Sequence, residues 1–500
     1  MRQINLDQPS PEQVVIFENI LAIKEGSRKV PFGVDAKAGS GKTSTVAASA
    51  HAFPDNSAAM AFNKEAAEQL KQKLGMYAPA STFHSAGFSV LKERLGKVQT
   101  NIYKIADICK DQLKYGRMYA PYRDVIEHMM TFGIGIEDAS EMLNPAVISD
   151  AIGYADVAVP DGLTRPTFIK RISLVADAMM SDLKTISFSE MLWLPLRLQN
   201  EYKWNLTNYN WLFIDEAQDM SMVRWQLAKA LAKNHIPIGD PFQSIYGFAG
   251  AMNDCFHRII NEKNMDVLPL SYSWRCPKNV IAHAQSIIGP VIHAPEWADD
   301  GYYGQQDCQI VLNQIHDKWY ADEDSSYAIL CRCNRPLFKI ALQWLKENKP
   351  FRLWNDMGDR LLRLMNELIK DNKTTRKFLT ALADWKSEQD EIYADAKGVL
   401  RRIREQFDTI KHLVESSYDP ADAILNLKLI MQSDRGPILS TIHKTKGLEF
   451  DYVYLYRLDL IPAPWVEEDD LEELAQERNL HYVATTRAKK SFIELFGDED

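Results

Sequence analysis

The chain has 500 residues, 46% of them hydrophobic and 25% charged, which suits a globular protein with roughly two to four packed cores. A formal net charge of −10 excludes a general basic coat for gripping nucleic acid, but it leaves room for a local groove. No apolar run approaches the roughly 20 residues of a membrane span. The opening "MRQINLDQPSPEQVV" also sets Asp, Pro and Glu where a signal peptide needs an apolar core, so a cytoplasmic location is expected.

In chain order, the first telling stretch is "VPFGVDA" followed by "AKAGSGKTST", residues 30–45. The first part has strand character, and the residues after Lys42 can start a helix. Glycines at 39 and 41 allow a tight turn whose amide hydrogens point at oxygen, and the helix end adds its positive dipole. Ala38, Gly39, Ser40, Gly41, Lys42, Thr43 and Ser44 thus form a candidate phosphate-binding loop. Lys42 would reach the β and γ phosphates of a nucleotide, and the Thr43 hydroxyl would bind magnesium. A pattern this short occurs by chance in roughly 4% of chains of this length, so it needs a partner.

Residues 85–184 follow helical spacing, with breaks at "GIGIED" and "VPDGLTRP", and read as an inserted helical subdomain. The partner comes next, in "NWLFIDEAQDMS". Its apolar run ends at Asp215 and Glu216, which places both acids at the carboxyl end of a strand, where ligands of parallel sheets gather. One acid can hold magnesium while the other orients and deprotonates water. Loop and acid pair together point to an NTPase.

Beyond residue 269 the strand-like segments are "CQIVLN", "YAILCRC", "PILSTIH", "DYVYLY" and "SFIELFG". Cys331 and Cys333 read as free thiols of a buried strand, because the six cysteines never form CxxC. Residues 356–434 are rich in charge and helix formers and read as a second, short insertion. The acidic "VEEDDLEELAQE", 466–477, reads as a solvated segment.

From "IDEAQD" onward the motifs strongly resemble the motor of superfamily 1 helicases of the UvrD/Rep/PcrA type. "SPEQVVIF" (10–17) is similar to the adenine-reading Q motif, with Gln13 as the reader. "AFNKEAAEQLKQKL" (61–74) and "ASTFHSAG" (80–87) resemble the two short motifs that touch single-stranded DNA. "IPIGDPFQSIYGFAGA" (236–251), "PLSYSWRCP" (269–277), "STIHKTKGLEFDYVYL" (440–455) and "ERNLHYVATTRAKK" (477–490) resemble four further motifs in the expected order.

The resemblance implies an α/β fold with two RecA-like parallel-sheet motor lobes of the P-loop NTPase class, each with a mainly helical inserted subdomain. The first lobe would take 1–84 and 185–268, the second 269–355 and 435–500. It further implies that Gln243 senses the γ-phosphate, that Trp274 stacks on adenine, that Glu449 contacts the ribose, and that Arg275 and Arg487 reach the terminal phosphates. Catalysis would rest on Lys42, Asp215, Glu216, Gln243, Arg275 and Arg487, with ATP bound and magnesium held by Thr43 and Asp215. Asn63, Thr82, His84, Tyr246, Phe248 and His443 would contact DNA, with Lys446 beside them.

The implied activity is ATP-driven 3′–5′ translocation on single strands, with unwinding at single-strand/duplex junctions. The motor core would be monomeric, in the nucleoid or in phage-infected cytoplasm, with replication or repair proteins as partners. Two departures from the family pattern stand out. Lys37 replaces the usual second glycine of the loop and is expected to face solvent. Ala249 stands where many relatives carry a DNA-touching arginine. That departure keeps open a translocase that strips proteins and unwinds weakly, and beside it a nucleotide-switched scaffold with negligible turnover.

Overall fold

The computed structural model describes residues 9–497, except 29, 54–55, 76–77, 114–118, 156, 158, 161–162, 246–253, 356 and 393–396. The chain divides into two compact units, Met1–Ser271 and Tyr272–Asp500.

The N-terminal unit is built on a parallel sheet of β1 (Phe32–Ala36), β2 (Ser57–Ala61), β3 (Ala80–Thr82), β6 (Tyr209–Asp215), β7 (Ala232–Gly239) and β8 (Asp266–Leu270), in the order β3-β2-β6-β7-β1-β8. Short β4 (Gln99–Thr100) and β5 (Thr185–Ile186) pair apart from it. Side chains alternate across the sheet, as the strand period of two requires. Ala59, Ala61 and Phe213 point into a core with α1 (Pro11–Lys24), α2 (Lys42–Ala50) and α3 (Lys64–Leu74). Ala58, Met60, Leu212 and Ile214 point the other way.

That second core continues through α4 (Phe83–Leu95), α5 (Lys104–Leu113), α6 (Ala120–Thr131), α7 (Pro145–Tyr154), α8 (Arg165–Ser181), α9 (Glu190–Tyr202), α10 (Met222–Leu231) and α11 (Cys255–Lys263). Gly87 lets α4 and α9 touch, because a Cβ there would sit 1.9 Å from the carbonyl oxygen of Met191. The helices between β3 and β6 are pinned by a buried ion pair. Lys104 Nζ lies 2.8 Å from Glu190 Oε1, and it also donates to the carbonyls of Met179 and Asp182.

The C-terminal unit has a second parallel sheet. Its strands are β9 (Tyr302–Asp307), β10 (Tyr327–Cys331), β11 (Arg352–Trp354), β12 (Ile438–Thr441), β13 (Phe450–Tyr456) and β14 (Ala488–Phe496), in the order β11-β12-β10-β13-β14-β9. Around it lie α12 (Lys278–Ile288), α13 (Cys308–Ala321), α14 (Asn334–Lys346) and α19 (Leu471–Thr485). Among the described residues, four helices lie between β11 and β12: α15 (Gly358–Leu368), α16 (Thr375–Ile392), α17 (Lys397–Glu415) and α18 (Pro420–Gln432).

Three expectations change here. "CQIVLN" begins helix α13 instead of forming a strand, capped by the Asp307 side chain on the N–H of Ile310. Its apolar residues Val311, Leu312, Ile315 and Trp319 recur at helical spacing and are buried, and only the longer window reveals that period. The acidic run is not wholly solvated, since Glu477 is buried and takes a bidentate contact from Arg332 at 2.7–3.0 Å. Lys37 is 2% exposed, with its ammonium 2.5 Å from Asp35 and 4.6 Å from the Phe242 ring centre. A counter-ion and an aromatic face make burial of the ammonium tolerable.

Candidate functional site

In the N-terminal unit, β1, β2, β3, β6 and β7 all deliver their candidate residues at their carboxyl ends, because the sheet is parallel. The loop after β1 turns with Gly39 and Gly41 at φ 71° and 85°, values that favour glycine. Gly41 then starts α2 in a left-handed conformation with no side-chain cap. Ala38 and Ser40 are buried, and among the described residues the Ser40 hydroxyl has no hydrogen-bond partner. Lys42 is buried, with its ammonium no closer than 3.4 Å to the carbonyl of Ala36. Ser44 accepts from Lys73 at 2.8 Å. Gln13 lies against the loop, its amide nitrogen 3.4 Å from where a Gly41 Cβ would be. That nitrogen donates to Thr45 Oγ1 at 3.0 Å, and its oxygen accepts from the N–H of Ser10.

The two acids after β6 sit beside this loop. Thr43 Oγ1 donates to Asp215 Oδ2 at 3.0 Å. Burial, and then the neighbouring Glu216, raise the Asp215 pKa, while Lys42 and the Thr43 hydroxyl oppose the rise. Glu216 takes a left-handed backbone, φ 54°, which costs an L-residue about 1–2 kcal/mol. Its carboxylate is held from behind. Gln218 Nε2 donates to Glu216 Oε2 at 2.6 Å, and Gln218 Oε1 accepts from the N–H of Asp240 at 3.0 Å. Asp240 Oδ2 in turn accepts from Gln243 Nε2 at 2.8 Å. A side chain at Gly239 would break this path, since a Cβ would lie 2.5 Å from Gln218 Oε1. Burial pushes the Asp240 carboxyl up, and the nearby Lys37 and Lys42 pull it back.

The C-terminal unit groups its own candidates where β13, α19 and the segment before α12 meet. Arg275 Nε contacts Glu449 Oε2 at 2.7 Å, and its Nη1 donates to the carbonyl of Thr486 at 3.1 Å. Arg487 is buried and donates to the carbonyls of Val483 and Leu448, each at 2.9 Å. Trp274 is half-exposed, its ring centre 5.5 Å from that of Trp297, which is 67% exposed.

The UvrD/REP helicase N-terminal domain matches residues 22–264 and the UvrD-like helicase C-terminal domain matches residues 356–494. The chain belongs to the UvrD/Rep helicase family. Among its curated relatives, the F-box DNA helicase 1 of Gallus gallus is 22% identical over 92% of this chain and 46% of its own length. The probable DNA helicase II homolog of Mycoplasma pneumoniae is 23% identical over 59% of this chain and 54% of its own length. The ATP-dependent DNA helicase Rep of Escherichia coli is 22% identical over 92% and 88%. The chain thus spans about half the length of the first two.

The residues expected to face DNA in this UvrD/Rep chain are less uniform. Asn63 and Thr82 cap α3 and α4, their side-chain oxygens accepting from the N–H groups of Ala66 and Ser85. The His84 ring stacks on Phe188 with centres 3.8 Å apart. Burial and then Arg224 push its pKa down to about 3, so the imidazole is neutral. His443 sits on the single turn Ile442–Thr445 with Lys446 closing it. Burial, Arg332 and Lys446 push its pKa down to about 3 as well. Tyr246, Phe248 and Ala249 lie outside the described residues.

Reading of the sequence passed over Gln218, Asp240 and Trp297. Gln218 carried a signal, standing two residues after the second acid on the same short turn. Asp240 also followed an apolar strand. Trp297 had none, because nothing along the chain ties it to Trp274.

Proposed function

We propose that the chain hydrolyses ATP and uses the energy to move 3′–5′ along single-stranded DNA, separating duplex at a junction. The supporting observation is the run Thr43–Asp215–Glu216–Gln218–Asp240–Gln243, which joins the phosphate loop to the end of β7 through side-chain and backbone hydrogen bonds. The loop itself suits a triphosphate. Among the described residues it has two left-handed glycines, an unpartnered buried hydroxyl at Ser40 and a buried lysine whose ammonium is 3.4 Å from the Ala36 carbonyl.

Thr43 Oγ1 and Asp215 would hold magnesium, which supplies positive charge against the phosphate oxygens. Lys42 adds a second cation at the loop. Glu216 accepts the proton of the attacking water, and Gln218 fixes the carboxylate for that task. Gln243, tied to Asp240, links this end of the site to the segment that follows β7. Arg275, Glu449 and Arg487 would serve the nucleotide from the C-terminal unit, with Trp274 stacking on the base. Asn63, Thr82, His84 and His443 would line the DNA path as neutral donors, with replication or repair proteins as working partners.

The deciding experiment compares ATP-driven unwinding of duplexes carrying a 3′ or a 5′ tail, beside ATPase with and without oligo-dT. Unwinding of the 3′-tailed duplex alone, with ATPase raised by oligo-dT, is expected. ATPase raised by oligo-dT with displacement of streptavidin but no unwinding would replace helicase by protein-stripping translocase. Turnover indifferent to DNA would overturn the motor reading.

A further inference from the structure

Within the C-terminal unit, three side chains from three elements meet: His283 of α12, His481 of α19 and Glu494 of β14. Their ligand atoms all lie within 4.8 Å of one another. His481 Nε2 is 2.9 Å from Glu494 Oε1, and His283 Nε2 is 3.1 Å from the same oxygen. Ligands bonded at about 2.0–2.2 Å to a shared zinc-like ion stand roughly 2.9–3.5 Å apart, so two of the three edges already have the required length. The third, between the two imidazoles, is within 4.8 Å.

The His283 nitrogen is the second, independent observation. It is buried and, among the described residues, makes no well-directed hydrogen bond, although the carboxylate oxygen lies 3.1 Å away. With the proton on Nδ1, the Nε2 lone pair faces the anion, and a cation shared between them removes that repulsion. The outer contacts match those of a metal carboxylate. Tyr303 donates its hydroxyl to Glu494 Oε2 at 3.0 Å, and Gln305 donates to the same oxygen at 3.1 Å. The His283 ring is further clamped by stacking on Tyr303, with centres 3.9 Å apart.

We infer that His283, His481 and Glu494 bind one first-row divalent transition-metal ion of the zinc or cobalt class. Two imidazoles and one carboxylate select such an ion over calcium or magnesium, which prefer all-oxygen shells. The ion acts as a clip. It ties α12, which begins just beyond Arg275, to α19, which ends just before Arg487, and anchors both to β14.

The test uses the full chain, freed of any affinity tag and dialysed against chelator, then titrated with Co²⁺. Visible absorption reports coordination, and equilibrium dialysis reports stoichiometry. One ion per chain is expected, with ligand-field bands and a raised Tm. Binding weakens more than about 100-fold in His481→Leu and His283→Gln, and about 10-fold in Tyr303→Phe, as the loss of outer-shell partners does elsewhere. His293→Ala, which removes an exposed imidazole, leaves binding unchanged. Circular dichroism establishes which variants fold, and Tyr303→Phe carries the comparison if a ligand variant does not. No stoichiometric binding by the parent chain, or equal binding by parent and folded variants, overturns the proposal.

Discussion

The Gln218 side chain gives the sharpest test of the proposed hydrolytic site, because its hydrogen bonds run to Glu216 and to the N–H of Asp240. It is 1% exposed and holds Glu216 with one end and the N–H of Asp240 with the other. Gln218→Leu keeps similar bulk and removes both contacts. The buried N–H then lacks an acceptor, at a cost of about 1–3 kcal/mol, so Tm should fall by about 2–4 °C per kcal/mol lost. Glu216 loses the donor that sets its position, and a displacement of about 1 Å at a reacting group costs about 100-fold. We therefore expect kcat for DNA-stimulated ATPase to fall about 100-fold while KM for ATP stays near the parent value.

Gln218→Glu separates positioning from mere packing. It retains the acceptor for Asp240 and the fold, but sets a second carboxyl where the amide donated to Glu216 at 2.6 Å. Two like charges about 4 Å apart at an effective dielectric near 20 repel by about 4 kcal/mol, or about 3 pH units. The pair then holds one proton, and the acid limb of the kcat–pH profile moves upward. ATPase profiles of both variants that superpose on the parent would refute the assigned role of Gln218.

Lys42→Ala should abolish ATPase while circular dichroism stays unchanged; unaltered turnover would remove the phosphate role from the loop. Asp215→Asn should stabilise the chain at pH 8 without nucleotide or metal. The folded-state pKa of Asp215 is raised by burial, so stability is lost as pH rises from the unfolded value of about 3.9 through the raised one. The gain in Tm should shrink towards pH 4, and a gain constant with pH would show that ionisation of Asp215 is not its source. His84 is neutral, so His84→Ala should weaken oligo-dT binding without changing the slope of log K against log salt. A slope reduced by about 1 would reveal a charged phosphate contact instead. Phe248→Ala should lower the stimulation by DNA more than basal hydrolysis; equal loss of both would place the ring in the core.

Much of this protein was legible in the residues alone, and physical chemistry explains which parts. The glycine loop after β1, the Asp215–Glu216 pair and strands β1, β6, β10, β12, β13 and β14 are local patterns, each set by a few consecutive residues. Glycines at 39 and 41 must turn, and an apolar run ending in two acids must leave a buried strand at its edge. Period-2 burial in β6 follows from Leu212, Phe213 and Ile214 alternating between two cores. A six-residue window failed at "CQIVLN", because strand and helix look alike until Ile315 and Trp319 join the pattern.

What the tertiary structure alone decided is which charges and polar groups find partners. Lys37 is buried because Asp35 and the Phe242 ring converge on it, and Glu477 because Arg332 reaches it from 145 residues away. Gln218 gains its role from Asp240, 22 residues on. His283, His481 and Glu494 are separated in sequence and meet only once α12 and α19 pack against β14. Local spacing fixes backbone conformation, whereas the cost of burying a charge depends on neighbours that only the folded chain brings within a few ångströms.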